Sequence, residues 1–312
     1  MTATMPRAVS LGSPRRTGLL LFAHPKFVTG LAILGFFALL TVLQPVMEAT
    51  VWAGRGHVYD PILGFDTGIS HPSAPSLVHW LGTNSLGHDV FSMLLEATRP
   101  TLLVAVSAGA VIAVISLALG ATAAVREGWA DGVISHVSDA MVLLPPLLAV
   151  YVLGIWRPND EFGALHAGIS FGVLYGLGPA TATVRAAAMT VTVQPFMDAA
   201  RVAGGGNWWL GTRHVLPHLY AHASVQAMIG ATGAIIAEAF LSFRSAVGED
   251  VGFGAMVYDG IVWSNLMAGI ADIPWWIMLA GAGAITLLGA AFFLLGVGLR
   301  EALDPRARSI LG

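Results

Sequence analysis

The chain has 312 residues, 56% of them hydrophobic and 11% charged, with a formal net charge of −3 and no cysteine. Soluble domains carry about 25% charged residues, so most of this surface is not built to face water, and the mild negative charge argues against a nucleic-acid partner. Without cysteine there is no disulfide, no thiol nucleophile and no cysteine-ligated metal.

Several apolar stretches reach the roughly 20 residues that cross a bilayer as a helix. Six helices are predicted, over 27–47, 101–125, 133–155, 163–188, 223–243 and 275–299, which makes this an all-α membrane protein. Arg15-Arg16 ahead of the first apolar run has the form of a twin-arginine export signal. His24-Pro25-Lys26 interrupts that run, which then continues too long for a signal, so it reads as a retained span. Residues 48–99 form an external segment rich in Pro, Gly and His, whose His57, His71, His79 and His88 read as solvated loop residues.

In the third helix Pro145-Pro146 must kink or end the backbone, as a hinge or as a fixed bend. The fourth is the least apolar and the richest in glycine. Ala223, Ala227 and Ala231, with Gly230 and Ala234, place small residues along the fifth, a face suited to close helix packing within this chain or against a second one. Asp139 and Glu238 lie inside spans, where an ionisable group is costly; they either line a pathway or anchor neighbouring helices.

With the N-terminus inside, the inner segments hold Arg7, Arg15, Arg16, Lys26, Arg126, Arg185, Arg201, Arg213, Arg300, Arg306 and Arg308, against Arg55, Arg99, Arg157 and Arg244 outside. That bias satisfies the positive-inside rule and places both termini in the cytoplasm. Lys26 is the only lysine and follows Ala23-His24-Pro25 instead of a glycine-rich turn, so the chain has no Walker-type phosphate loop. Any ATP chemistry belongs to another subunit. No Gly-x-Ser-x-Gly elbow is present. His214, His218 and His222 recur at a spacing that can ligate metal, but Pro217 interrupts their helical face and no Glu accompanies them, so no metal is assigned.

The longest internal loop, 189–222, contains Gln194-Pro195-Phe196-Met197-Asp198-Ala199-Ala200-Arg201-Val202-Ala203-Gly204, then nine residues, then His214-Val215-Leu216-Pro217. Pro195 suits a first helical turn, Asp198 the positive end of that helix, and Gly204-Gly205-Gly206 its termination. Asn207 is expected to cap a second short helix, which Pro217 interrupts or kinks.

This spacing resembles the EAA loop of ABC importer permeases: Glu-Ala-Ala, three residues, Gly, nine residues, Ile-x-Leu-Pro. Ala199, Ala200, Gly204, Leu216 and Pro217 match it, while Asp198 replaces the glutamate and His214 the isoleucine. Other segments resemble the dipeptide/oligopeptide/nickel subfamily. They are His79-Trp80-Leu81-Gly82-Thr83 with Leu86-Gly87 and Asp89-Val90, Glu238-Ala239-Phe240-Leu241-Ser242-Phe243, and Gly298-Leu299-Arg300-Glu301-Ala302-Leu303-Asp304-Pro305-Arg306. Asn84 and His88 stand where that subfamily has Asp and Arg, and Arg185 falls at its arginine sixteen residues before Arg201.

The resemblance implies a type I ABC importer transmembrane domain, with tails at 1–26 and 304–312, the first span and external segment over 27–98, and a permease domain over 99–303. It implies a homologous permease subunit, one or two ATPase subunits that use ATP and Mg, an extracytoplasmic substrate-binding protein, and a bacterial inner membrane. This chain itself would hold no cofactor and catalyse nothing. Asp198, Ala199, Ala200, Arg201, Gly204, Leu216 and Pro217 would couple it mechanically to the ATPase. Peptides are the substrate class the resemblance points to. A self-contained carrier or channel driven by an ion gradient would also account for six spans and buried carboxylates, but not for the loop.

Overall fold

The computed structural model describes residues 21–22, 24–126, 128–156, 163–245, 251–266 and 274–303. Arg7, Arg15, Arg16, Arg157 and the closing Asp304-Pro305-Arg306 lie outside them. Twelve helices follow in chain order among the described residues: α1 (Pro25–Ala49), the single turn α2 (Gly56–Tyr59), α3 (Val90–Val125), α4 (Trp129–Leu143), α5 (Pro146–Trp156), α6 (Ala164–Tyr175), α7 (Thr181–Thr192), α8 (Pro195–Val202), α9 (Asn207–Leu210), α10 (Leu216–Ser245), α11 (Phe253–Leu266) and α12 (Trp275–Leu303). Wide π turns at Gly176–Ala180 and Gly211–Val215 join α6 to α7 and α9 to α10. Five of the resulting helices are long and apolar enough to cross a membrane, or six if α4 and α5, bent by 75° at Pro145-Pro146, form one span. The expected kink is there.

Both π turns occur at a proline, Pro179 within the first and Pro217 just after the second. A proline cannot donate to the carbonyl four residues back, and its ring collides with it. At the second, widening the turn carries the chain past the obstacle; at the first the helix is kinked, with Gly178 outside helical geometry at φ −91°, ψ −105°. Ser138 Oγ donates to the Gly178 carbonyl at 2.8 Å and Thr181 Oγ1 to the Gly176 carbonyl at 2.6 Å, so acceptors at the first turn stay satisfied inside the membrane. Of the two outcomes expected at Pro217, interruption or a kink, the helix is not interrupted: Asn207–Phe243 is one 37-residue helix, distorted by the π turn at Gly211–Val215. Asn207 is not the cap either. Gly206 occupies that position, with no side-chain cap bond.

Two further expectations change. The second span begins at Val90, not 101, because Asp89 caps it by accepting from Ser92 N at 2.7 Å, and Pro100 is carried inside the helix. The external segment accordingly ends at residue 89. The helix α11 was not predicted; its 14 residues are too few to span. It buries Phe253 and Met256 completely, in a cluster that includes Ile277 and Leu288 of α12.

The glycines of the fourth span have a packing role. A Cβ added at Gly168 would sit 2.7 Å from the Val104 carbonyl, and one at Gly172 2.9 Å from that of Ala108, so α6 lies directly against the α3 backbone. The small-residue face of α10 likewise packs inside this chain. Ala223, Ala231 and Ala234 are buried, and Gly230 meets Ile112 of α3 and Tyr175 of α6.

Helices α10 and α12 run antiparallel, with Thr232 Oγ1 on the Gly289 carbonyl at 3.2 Å and Gly296 beside Met228. The start of α10 thus shares a side with the end of α12, where Glu301 pairs with Lys26 at the start of α1. At the opposite side Trp276 Nε1 donates to the Thr83 carbonyl at 3.2 Å, and Ser85 bonds Asp259. Loop 189–222 and the external segment therefore lie at opposite ends of the bundle.

The external segment is organised. Trp52 stacks on Tyr59 with ring centroids 5.3 Å apart. His79, expected to be solvated, is only 1% exposed, with Nδ1 2.8 Å from Asp89 Oδ2 and Nε2 3.3 Å from Asp66 Oδ2. Its neighbours in the motif serve the same turn. Asn84 Oδ1 accepts from Leu86 N and His88 N at 3.0 and 2.8 Å, and Gly82 and Gly87 hold φ of 73° and 90°.

The Gly68 N–H and then His79 hold the Asp66 carboxyl below the usual carboxylate range, whereas burial pushes Asp89 up. A depressed carboxyl stabilises the fold above its unfolded pKa, about 3.9, and loses that contribution as pH falls through the folded value. Asp89 has the opposite sign. Amide exchange at Gly68 should therefore accelerate below about pH 4, beyond the intrinsic rate, and Asp66→Asn should abolish that acid dependence.

Candidate functional site

Loop 189–222 begins where α7 ends. Pro195 is the first residue of α8 and Gln194 its cap; Asp198 lies in the first turn and Arg201 in the last, with Arg201 Nη1 3.3 Å from Asp198 Oδ1. One face of this short helix is an anchor. Met197 is fully buried among Val191, Leu210, Val215 and Leu219, with Phe196 and Ala200 half-buried beside it. The other face presents Asp198, Ala199, Arg201 and Val202 to the surroundings, Val202 at 90% exposure.

Its end explains the glycine of the motif. Gly204 has φ 87°, its N–H bonds the Arg201 carbonyl at 3.0 Å, and the Gly205 N–H bonds that of Ala200 at 3.1 Å. This is a Schellman closure, whose left-handed residue is usually glycine. Nothing lies within 4 Å of a Cβ built at Gly204, so backbone conformation, not crowding, demands glycine within this chain. Leu216 and Pro217, both half-buried, open α10 below α8, and the seven expected coupling residues gather at one end of the bundle.

The histidines of this region pack against the loop. His218 donates Nδ1–H to the His214 carbonyl at 2.7 Å and stacks on Phe196 at 5.8 Å, while the His214 ring lies 4.7 Å from that of Trp209.

Asp139 and Glu238 do not join this site. Glu238 is 22 residues beyond Leu216, about 33 Å along a straight helix. It is buried, with Oε2 3.0 Å from Thr101 Oγ1 of α3. Asp139 is exposed on α4, one turn from the equally exposed His136.

Arg185 forms a two-pronged bond with Asp131, 2.6 and 2.8 Å, tying α7 to the first turn of α4. Arg185→Ala should cost about 1–2 kcal/mol in thermal unfolding, the lower part of the range for charged hydrogen bonds because both side chains are about one-quarter exposed. The exchange Arg185→Asp with Asp131→Arg should restore part of it.

Met197, the buried anchor, and the exposed Val202 and 81%-exposed Trp208 were not singled out from sequence. The apolar spacing Phe196, Met197, Ala200 was the available signal for the buried face.

The chain matches the family model of the binding-protein-dependent transport system inner membrane component over residues 116–309. It is 31% identical to a putative peptide permease protein of Brucella abortus over 318 aligned positions, covering 98% of this chain and 97% of the relative. It is 28% identical to the dipeptide transport system permease protein DppC of Alkalihalophilus pseudofirmus (90% of this chain, 86% of the relative). To the oligopeptide transport system permease protein OppC of Mycobacterium bovis the identity is 29%, over 76% and 79% of the two chains.

Proposed function

Because the chain belongs to the family of inner-membrane components of binding-protein-dependent transport systems, we propose that it is half of the membrane pathway of an ATP-driven peptide importer, coupled to its ATPase through α8. It is a transport subunit and not an enzyme; its peptide-permease, DppC and OppC relatives carry the substrate class. The observation that carries the coupling role is the two-faced helix α8, anchored by Met197 and ended at Gly204, with Asp198, Ala199, Arg201 and Val202 turned outward.

The end bearing α8 faces the cytoplasm. Lys26, Arg126, Arg201, Arg213 and Arg300 lie toward that end and Arg55 and Arg99 toward the other, in keeping with the positive-inside bias. Its partners are a homologous permease, one or two ATPase subunits holding ATP and Mg, and an extracytoplasmic binding protein. ATP binding closes the ATPase pair, draws the two coupling loops together and opens the pathway outward; hydrolysis reverses this. Glu238, buried against Thr101, anchors α10 to α3. Asp139, exposed on the bent span, faces the pathway or the second permease, since an ionised carboxylate in lipid is costly.

Gentle extraction of the tagged chain from its native membrane should recover a second permease and one or two P-loop ATPases. Recovery of the chain alone, still transporting without ATP, would contradict the proposal.

A further inference from the structure

Between α8 and the turn joining α3 to α4 lies a cavity of about 520 Å³, lined by Arg126, Trp129, Arg201 and Asn207 over a floor of Met197 and Leu210. Two guanidinium groups from separate elements border it, that of Arg201 also bonding Asp198 at 3.3 Å, and among the described residues no carboxylate lines it. A second cavity of about 320 Å³ shares Val125, Arg126 and Asn207 with it. This one runs back along α3 past Thr122 and Ala121 to Ala118, toward the middle of the span, with Trp208 on its other wall. A cationic chamber at the helix ends thus continues into an apolar channel along the helix. Trp129 and Trp208, both 81% exposed, flank the pair, as tryptophans do where spans leave the bilayer.

We infer that these two chambers hold one anionic phospholipid of the inner leaflet, its phosphate between Arg126 and Arg201 and an acyl chain along Ala118 and Ala121. Basic pockets between membrane helices on the cytoplasmic side take such headgroups. A free phosphate would use the first chamber and leave the apolar one unexplained. The assignment of the leaflet rests on the orientation proposed above. Because Arg201 belongs to α8 and lies on its exposed face, the lipid touches the coupling helix beside the surface proposed to meet the ATPase.

The test uses the full chain in nanodiscs of phosphatidylcholine with and without phosphatidylglycerol, with retained lipid counted by native mass spectrometry. Wild type should keep one phosphatidylglycerol that Arg126→Gln binds about five-fold more weakly, the contribution of one arginine near a membrane surface. Arg213→Gln removes an exposed charge of the same loop outside both cavities and should change nothing. Equal retention by wild type and Arg126→Gln, equal weakening by Arg213→Gln, or displacement of the lipid by inorganic phosphate would each overturn the inference. This readout needs neither ATPase nor transport, so failure of the importer reading would register separately, as absence of those partners on extraction.

Discussion

An Ala199→Glu chain is expected to insert and fold as the wild type does and to lose at least about 100-fold of its transport, with the ATPase no longer co-purifying. The exposure of Ala199 on α8 makes the substitution cheap within this chain, where surface changes stay within about 0.5 kcal/mol. On the proposed dock the same position would be covered, and an unpaired carboxylate buried there would cost about 3–5 kcal/mol, hence the two orders of magnitude. Ala200 is the poorer site for this test. It is half-buried toward Met197, and its carbonyl closes the helix end, so a glutamate there would disturb the loop as well as the dock. Gly204→Val should act through the backbone alone, at about 1–3 kcal/mol for a branched residue at φ 87°, and give partial loss. Normal transport by the Ala199→Glu chain, measured as peptide uptake into vesicles, would remove α8 from the coupling role.

Asp89→Ala should produce the second large effect, at the opposite end of the molecule. One oxygen of Asp89 caps α3 through Ser92 N and the other bonds the buried His79 at 2.8 Å. Losing the cap costs about 0.5–2 kcal/mol, and stranding a buried ring nitrogen about 1–3 kcal/mol. A destabilisation of about 2–4 kcal/mol follows, visible as a lowered unfolding temperature and as faster amide exchange from Ser73 to Val90. Asp89→Asn, which keeps an acceptor for the cap, should lose less. An unfolding temperature unchanged by Asp89→Ala would mean that His79 and the α3 cap do not hold the external segment together.

Loop 189–222 was readable from sequence because it carries residue types of distinct backbone preference at fixed separations. Pro195 starts a helix and Gly204 supplies a left-handed residue to end it, whereas Pro217 is carried inside the next helix just after a π turn. The long spans were readable because the bilayer demands apolar length. What escaped was structure whose cause lies in distant contacts. Helix α3 starts at Val90 although Glu96 and Arg99 make its first turns polar, because its cap is built by Asp89 and a histidine ten residues earlier. The short α11 is apolar enough to be buried yet too short to span, and only its fit against α10 and α12 makes it a helix with a place. His79 looked like a loop residue because its two carboxylate partners, at 66 and 89, share no regular spacing with it. The cavities beside Arg126 arise where three separate segments meet, which no local pattern announces.

The central claim is that α8 docks on an ATPase subunit, and the absence of native cysteine makes it directly testable. A single cysteine placed by Val202→Cys, at a position of α8 that is 90% exposed, would be treated with a short thiol-to-amine crosslinker in native membranes and the product identified by mass spectrometry. The account predicts a crosslink to a P-loop ATPase whose yield changes when ATP is added. A chain that transports peptide normally while its residue 202 crosslinks to no ATPase in either state would contradict it.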